Sequence, residues 1–180
     1  MLTFLIGGAR SGKSTLAVQL GERFGGPVTF VATAEAFDDD LAARITRHRD
    51  ERPSTWTTIE EPVDLAAAVR SVADDSMVIV DCLTVWLANL AVRVMPTEQI
   101  LRSAQDMVDE LCARRARGAA PAVVVSNEVG MGIVPDNEPS RSFRDELGRV
   151  NQLVAAAADT TLLLVAGRAV KLESPWDVLP

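Results

Sequence analysis

The chain opens with Leu2-Thr3-Phe4-Leu5-Ile6, continues through Gly7-Gly8-Ala9-Arg10-Ser11-Gly12-Lys13-Ser14, and then places Leu16 and Leu20 four residues apart. The apolar run at residues 2–6 reads as a buried strand, and the i, i+4 pair as one face of a helix. Between them stands the spacing G-x-x-x-x-G-K-S. A strand that feeds this spacing and then a helix is a phosphate-binding loop. Its glycines let backbone N–H groups converge on phosphate oxygens, and the helix turns the positive end of its dipole toward the same anion. Lys13 is expected to neutralise the outer phosphates, and the hydroxyl of Ser14 to ligate Mg²⁺. Gly7, Gly8, Ala9, Arg10, Ser11, Gly12, Lys13 and Ser14 are therefore the nucleotide-binding candidates. The competing reading is a glycine-rich turn that holds no ligand, and the flanking strand and helix weigh against it.

Further β-rich apolar runs stand at residues 28–31, 77–80, 122–125 and 161–165, separated by longer segments with helical periodicity. Ile100, Ala104, Met107, Val108 and Leu111 form one apolar stripe, and Phe143, Leu147, Val150 and Val154 another. Alternation of strands and amphipathic helices predicts an α/β fold, a mainly parallel sheet flanked by helices in three layers, of the P-loop NTPase type. With 180 residues, 48% of them hydrophobic, the chain suits one domain spanning residues 1–180. The stretches around Pro53, Pro96 and Pro135 read as loops, and Pro62 as a helix start.

The formal net charge of −7 repels phosphate backbones, which argues against nucleic acid or an anionic membrane as the main partner. There is no apolar run of about twenty residues and no secretory signal pattern. Cys82 and Cys112 lack metal-site spacing and read as buried structural thiols in a reducing, cytoplasmic setting.

Asp81 follows the apolar run 77–80 and is expected at the carboxyl end of its strand, on the same sheet edge as the phosphate loop, as a second Mg²⁺-organising carboxylate. An aspartate capping the next helix is the alternative. Asn127 and Glu128 occupy the comparable place after residues 122–125 and are weaker candidates. A third feature is the run Arg47-His48-Arg49-Asp50-Glu51-Arg52-Pro53, preceded by Asp38-Asp39-Asp40. Acid first and base last suits a helix, on which Leu41, Ile45 and His48 share one face. Histidine attacks phosphorus only when neutral. Flanking arginines favour that form and a helix C-terminus opposes it, so spacing alone leaves open whether His48 is a nucleophile or a solvated helix end.

Taken together, GGARSGKS, ARITRHRDERP followed by W-x-T-x-E-E-P, VDCLT, and NEVGMGIVP leading to R-x-F-R-D and N-Q resemble the adenosylcobinamide kinase / adenosylcobinamide-phosphate guanylyltransferase family of cobalamin biosynthesis. The resemblance runs from Phe4 to about Lys171. It implies two reactions, phosphorylation of adenosylcobinamide with ATP or GTP, then transfer of GMP from GTP to adenosylcobinamide phosphate through a guanylylated histidine. His48 stands at the position of that nucleophile, with Lys13 as the catalytic lysine. The resemblance also implies that Thr33, Arg49, Asp50, Glu51, Arg52, Glu60 and Asp81 line the guanine-nucleotide site, that Ser14 and Asp81 serve the metal, and that the protein is a homotrimer. Arg141 and Arg144 either meet the corrinoid phosphate or pair with Asp145 and Glu146. Two rival readings are a P-loop kinase of another small metabolite without a covalent GMP intermediate, and a nucleotide-dependent switch read by a partner protein. Neither requires an arginine-flanked histidine followed by W-x-T-x-E-E-P.

Overall fold

The computed structural model describes residues 1–35, 49 and 52–179. Seven strands form one sheet in the order β3-β2-β4-β5-β1-β6-β7. They are β1 (Leu2–Gly7), β2 (Val28–Ala32), β3 (Thr57–Glu60), β4 (Met77–Asp81), β5 (Ala122–Asn127), β6 (Thr160–Val165) and β7 (Arg168–Leu172). All neighbouring pairs are parallel except β6 with β7. The central strands read as near-continuous apolar runs because both of their faces are covered, as a parallel sheet requires. The mainly parallel sheet and its flanking helices are as the sequence led us to expect. β3 and β7 had not been anticipated.

The layers are uneven. Against one face lies α1 (Lys13–Phe24), packing Leu16, Ala17, Leu20 and Phe24 on Leu5, Phe30, Ile79 and Val125. The opposite face carries α2 (Leu65–Ser71), α3 (Leu83–Val92), α4 (Thr97–Ala116) and α5 (Glu138–Ala157). The stripe Ile100, Ala104, Met107, Val108 and Leu111 is buried there, as are Leu147, Val150 and Val154. A short α6 (Pro175–Val178) closes the described chain, with Trp176 exposed. Pro62 does not start a helix: α2 begins at Leu65, where the Asp64 side chain accepts from the N–H of Ala67. A carboxylate at the cap satisfies an N–H that a proline further back leaves unpaired.

Two polar devices tie the layers. Arg114, buried on α4, donates to the carbonyls of Val72 at 2.5 Å, Ala73 at 3.0 Å and Ser76 at 2.9 Å, closing the turn from α2 into β4. At the other end of α4, the hydroxyl of Thr97 donates to Glu146 of α5 at 2.5 Å. In α3, Asn89 still reaches the carbonyls of Thr33 and Pro62, beyond the ends of β2 and β3. α3 therefore follows the carboxyl ends of the strands before α4 turns down across the sheet.

Candidate nucleotide site

The phosphate loop leaves β1 at Gly7 and enters α1 at Lys13. Close packing explains the first glycine: a Cβ on Gly7 would collide with the carbonyl oxygen of Leu164 on β6. Gly12 is required by conformation, since it caps α1 at φ +98°, a region that L side chains rarely adopt. No side chain caps the N-terminus of α1, so its first N–H groups face the loop. The loop is braced from outside, because the N–H of Gly167, in the β6–β7 turn, donates to the carbonyl of Ser11 at 2.9 Å.

Lys13 is almost wholly buried, and its ammonium donates to the carbonyl of Gly8 at 2.7 Å and to the hydroxyl of Ser11 at 3.3 Å. Burial lowers its pKa from the usual lysine value, and the neighbouring Cys82 and Asp81 pull in the opposite direction. That coupling places Asp81 within electrostatic reach of the loop although the two strands are not neighbours. β5 lies between β1 and β4, so their axes stand roughly 10 Å apart. Alternation along β4 puts Asp81 on the α1 side, with Met77 and Ile79. It ends its strand, as expected. The N-cap of α3 is Cys82.

The other strand ends converge on the same edge. Thr33 is fully buried after β2, and its hydroxyl donates to the carbonyl of Cys82 at 2.8 Å and accepts from the N–H of Cys82 at 2.9 Å. Glu60 ends β3 and forms an exposed ion pair with Arg49. The guanidinium of Arg52 lies 3.7 Å from the ring centroid of Phe30, a cation–π contact on the α1 side. Arg49 and Arg52, with Pro53, Ser54, Trp56 and Thr58, line a cavity of about 390 Å³. Another groove, of about 490 Å³, lies between α4 and α5 and involves none of these residues. At the end of β5, Asn127 is in register with Gly7, and the carboxylate of Glu128 accepts from the N–H of Gly130.

His48, Asp50 and Glu51, together with the helix read over residues 41–48, lie outside the described residues. Arg49 and Arg52, which flank Asp50 and Glu51 in sequence, do not. Arg144 pairs with Asp145 at 3.2 Å, and Arg141 donates to the carbonyls of Pro135 and Asp136. Sequence reasoning missed Asn89 and Trp56. For Trp56 a signal existed in Gly21, a glycine inside α1: a Cβ there would meet the indole at 2.5 Å. Cys82 and Cys112 are both free, and both residues are half-buried where the sequence led us to expect buried thiols.

The oxygen donors of Ser14 and Asp81 suit a hard cation, and Mg²⁺ with a phosphate chain is the chemistry they fit. Among the described residues there is no cluster of three or more histidine, cysteine or acidic side chains able to hold a metal by themselves. An ion here would complete its shell with phosphate oxygens and water. No described helix is long and apolar enough to cross a membrane.

Comparison with known proteins agrees with this geometry. Solved structures with the same fold include the RadB recombinase, with a TM-score of 0.53 and 16% identity over 90% of this chain and 73% of that one. A type III secretion ATPase gives a TM-score of 0.55 and 12% identity over 91% and 51%. Much nearer in sequence are bifunctional adenosylcobalamin biosynthesis proteins. CobP of Pseudomonas aeruginosa is 41% identical over 96% of this chain and 98% of its own length. CobU of Salmonella typhimurium is 40% identical over 96% and 100%. With residues 3–172 also matching the model of cobinamide kinase / cobinamide phosphate guanyltransferase, the chain belongs to that enzyme family.

Proposed function

We propose that the protein phosphorylates adenosylcobinamide with ATP or GTP and then transfers GMP from GTP to the resulting phosphate, through a guanylylated His48. The observation that carries this reading is that the Lys13 loop, Asp81 and the Arg49–Glu60 pair, one residue from His48, all stand at the carboxyl ends of strands of one sheet.

In the kinase step the corrinoid hydroxyl attacks the γ-phosphorus. The bond to the β-phosphate oxygen breaks, and the hydroxyl proton leaves to a base, for which Asp81 and Glu128 are the candidates. In the second reaction the neutral imidazole of His48 attacks the α-phosphorus of GTP, forming a P–N bond while pyrophosphate departs. An oxygen of the corrinoid phosphate then attacks the same phosphorus, and the P–N bond returns its electrons to the imidazole. The loop Gly7–Ser14 cradles the γ-phosphoryl group in the first reaction and the leaving pyrophosphate in the second. Lys13 exchanges its carbonyl partner for phosphate oxygens. Arg49, Asp50, Glu51, Arg52 and Glu60 hold the guanine nucleotide. Ser14 and Asp81 would hold Mg²⁺, which supplies charge neutralisation on phosphate oxygens. We read the chain as one cytoplasmic domain that assembles as a trimer.

The test is incubation with Mg²⁺ and GTP labelled at the α-phosphate, followed by denaturation. Acid-labile, base-stable label on the wild type and none on His48→Asn is expected. Equal label on both moves the nucleophile elsewhere. No label on either, with γ-phosphoryl transfer to cobinamide intact, reduces the protein to a kinase.

A further inference from the structure

We infer that Thr33 and Asn89 form a buried clamp that sets the position of Asp81 at the sheet edge, and that Thr33 acts on the reaction through that carboxylate. The inference rests on the reading of Asp81 as a metal-organising group.

Every polar atom of Thr33 is engaged inside the protein. Its N–H donates to the carbonyl of Asp81 at 3.3 Å. Its hydroxyl donates to the carbonyl of Cys82 at 2.8 Å and accepts from the N–H of Cys82 at 2.9 Å, holding the two peptides that flank that residue. The Thr33 carbonyl in turn accepts from the side-chain amide of Asn89 at 2.7 Å, and the same amide holds the carbonyl of Pro62 at 3.1 Å. Thr33 and Asn89 are fully buried. Regular β2–β4 pairing ends where Ala32 meets Asp81, so beyond that point a side-chain hydroxyl takes over the work of the ladder. Asp81 therefore enters α3 with the peptides on both its sides held, one by strand pairing and one by Thr33. Thr33 is buried, and its hydroxyl both donates and accepts within the protein. What it controls is the direction in which its neighbour's carboxylate is presented.

Thr33→Val keeps the shape and removes the hydroxyl, leaving the Cys82 N–H without its partner, whereas Thr33→Ser keeps the hydroxyl. Two readouts separate positioning from stability: the Mg²⁺ concentration giving half-maximal guanylylation of the protein, and Mn²⁺ binding to the protein–GTP complex by electron paramagnetic resonance. Thr33→Val should need about tenfold more metal in both, the equivalent of one lost buried hydrogen bond. Thr33→Ser should stay within about twofold of wild type in both metal readouts. If Thr33→Val does not fold, Asn89→Ala releases the clamp one bond further back, and a shift in the same direction is expected. A lowered melting temperature with an unmoved metal requirement overturns the clamp. Asp81→Asn run in parallel distinguishes the two levels: if it leaves the metal requirement unmoved, the reading of Asp81 fails, and if it raises the requirement while Thr33→Val does not, the clamp alone fails.

Discussion

The ammonium of Lys13 donates to the carbonyl of Gly8, 2.7 Å away and five residues back, so the phosphate loop is closed on its own lysine. The contact holds a buried cation in place, at the cost of a partner that phosphate must displace. Lys13→Ala should therefore cut the rate of both half-reactions by about a hundredfold or more, as removal of a charge-stabilising donor does. The fold should survive, because the ammonium supports the loop and not the core. Steady-state kcat/KM for each reaction, beside a thermal melt, checks this, and an unchanged rate would remove Lys13 from the chemistry.

Two helix glycines should respond oppositely to alanine. Gly148 in α5 has nothing within 4 Å of the place an added methyl would take, so Gly148→Ala should stabilise by about 0.5–1 kcal/mol through backbone entropy. At Gly21 the methyl would meet the Trp56 indole at 2.5 Å and Ile79 at 3.2 Å, so Gly21→Ala should destabilise by about 1–3 kcal/mol. Urea melts of both variants test the pair, and equal effects would refute the packing of Trp56 on α1.

Removing the guanidinium of Arg114 leaves the carbonyls of Val72, Ala73 and Ser76 without their donor. Arg114→Met, close in volume, should destabilise by about 3 kcal/mol. The same denaturation measurement decides it. A neutral result would mean that water reaches these carbonyls.

Asp159 accepts from the N–H of Leu2 at 2.6 Å and from Arg115 at 2.9 Å, and these partners, Leu2 foremost, hold its pKa below the usual 3.8. A carboxylate with a depressed folded-state pKa contributes stability that is complete above its unfolded value and disappears as pH falls through the folded one. The advantage of wild type over Asp159→Asn should accordingly be constant at neutral pH and shrink below pH 3.8, measured by urea melts across pH. An advantage independent of pH would mean that packing, not charge, is lost in the variant.

Burial, assisted by the charge of Asp81, pushes the Cys82 thiol up to about 11. At pH 8 about one thiol in a thousand is then ionised, and only the thiolate reacts. Iodoacetamide should label Cys82 at least about tenfold more slowly in the native protein than in urea, read by mass spectrometry of the peptides. Equal rates would place the thiol in contact with solvent.

What was legible in the sequence follows burial and contiguity. β1, β2, β4 and β5 are covered on both faces, so their apolar runs announced them. β3 is four residues of mixed polarity at the sheet edge, and every residue of β7 is exposed, which leaves neither with a hydrophobic pattern to read. In the site, the phosphate loop is one continuous segment, and Asp81 is a charge at the end of an apolar run. Both could be found by reading along the chain. The Thr33–Cys82 and Asn89–Pro62 contacts could not, since they depend on α3 lying along the strand ends. The Arg52–Phe30 stacking likewise depends on two segments that the sequence keeps apart.

The brace from Gly167 to Ser11 joins two segments that the ribosome makes far apart in time. β1 is synthesised well before its sheet partners, which begin at Ala122 and Thr160, and the loop it carries is held by Glu128 after β5 and by the turn after β6. During translation the strand and its glycine loop must therefore wait until β5, β6 and the turn after β6 have been made. A ribosome that stops short of β6 releases a chain whose signature motif is intact in sequence and without its mooring in space.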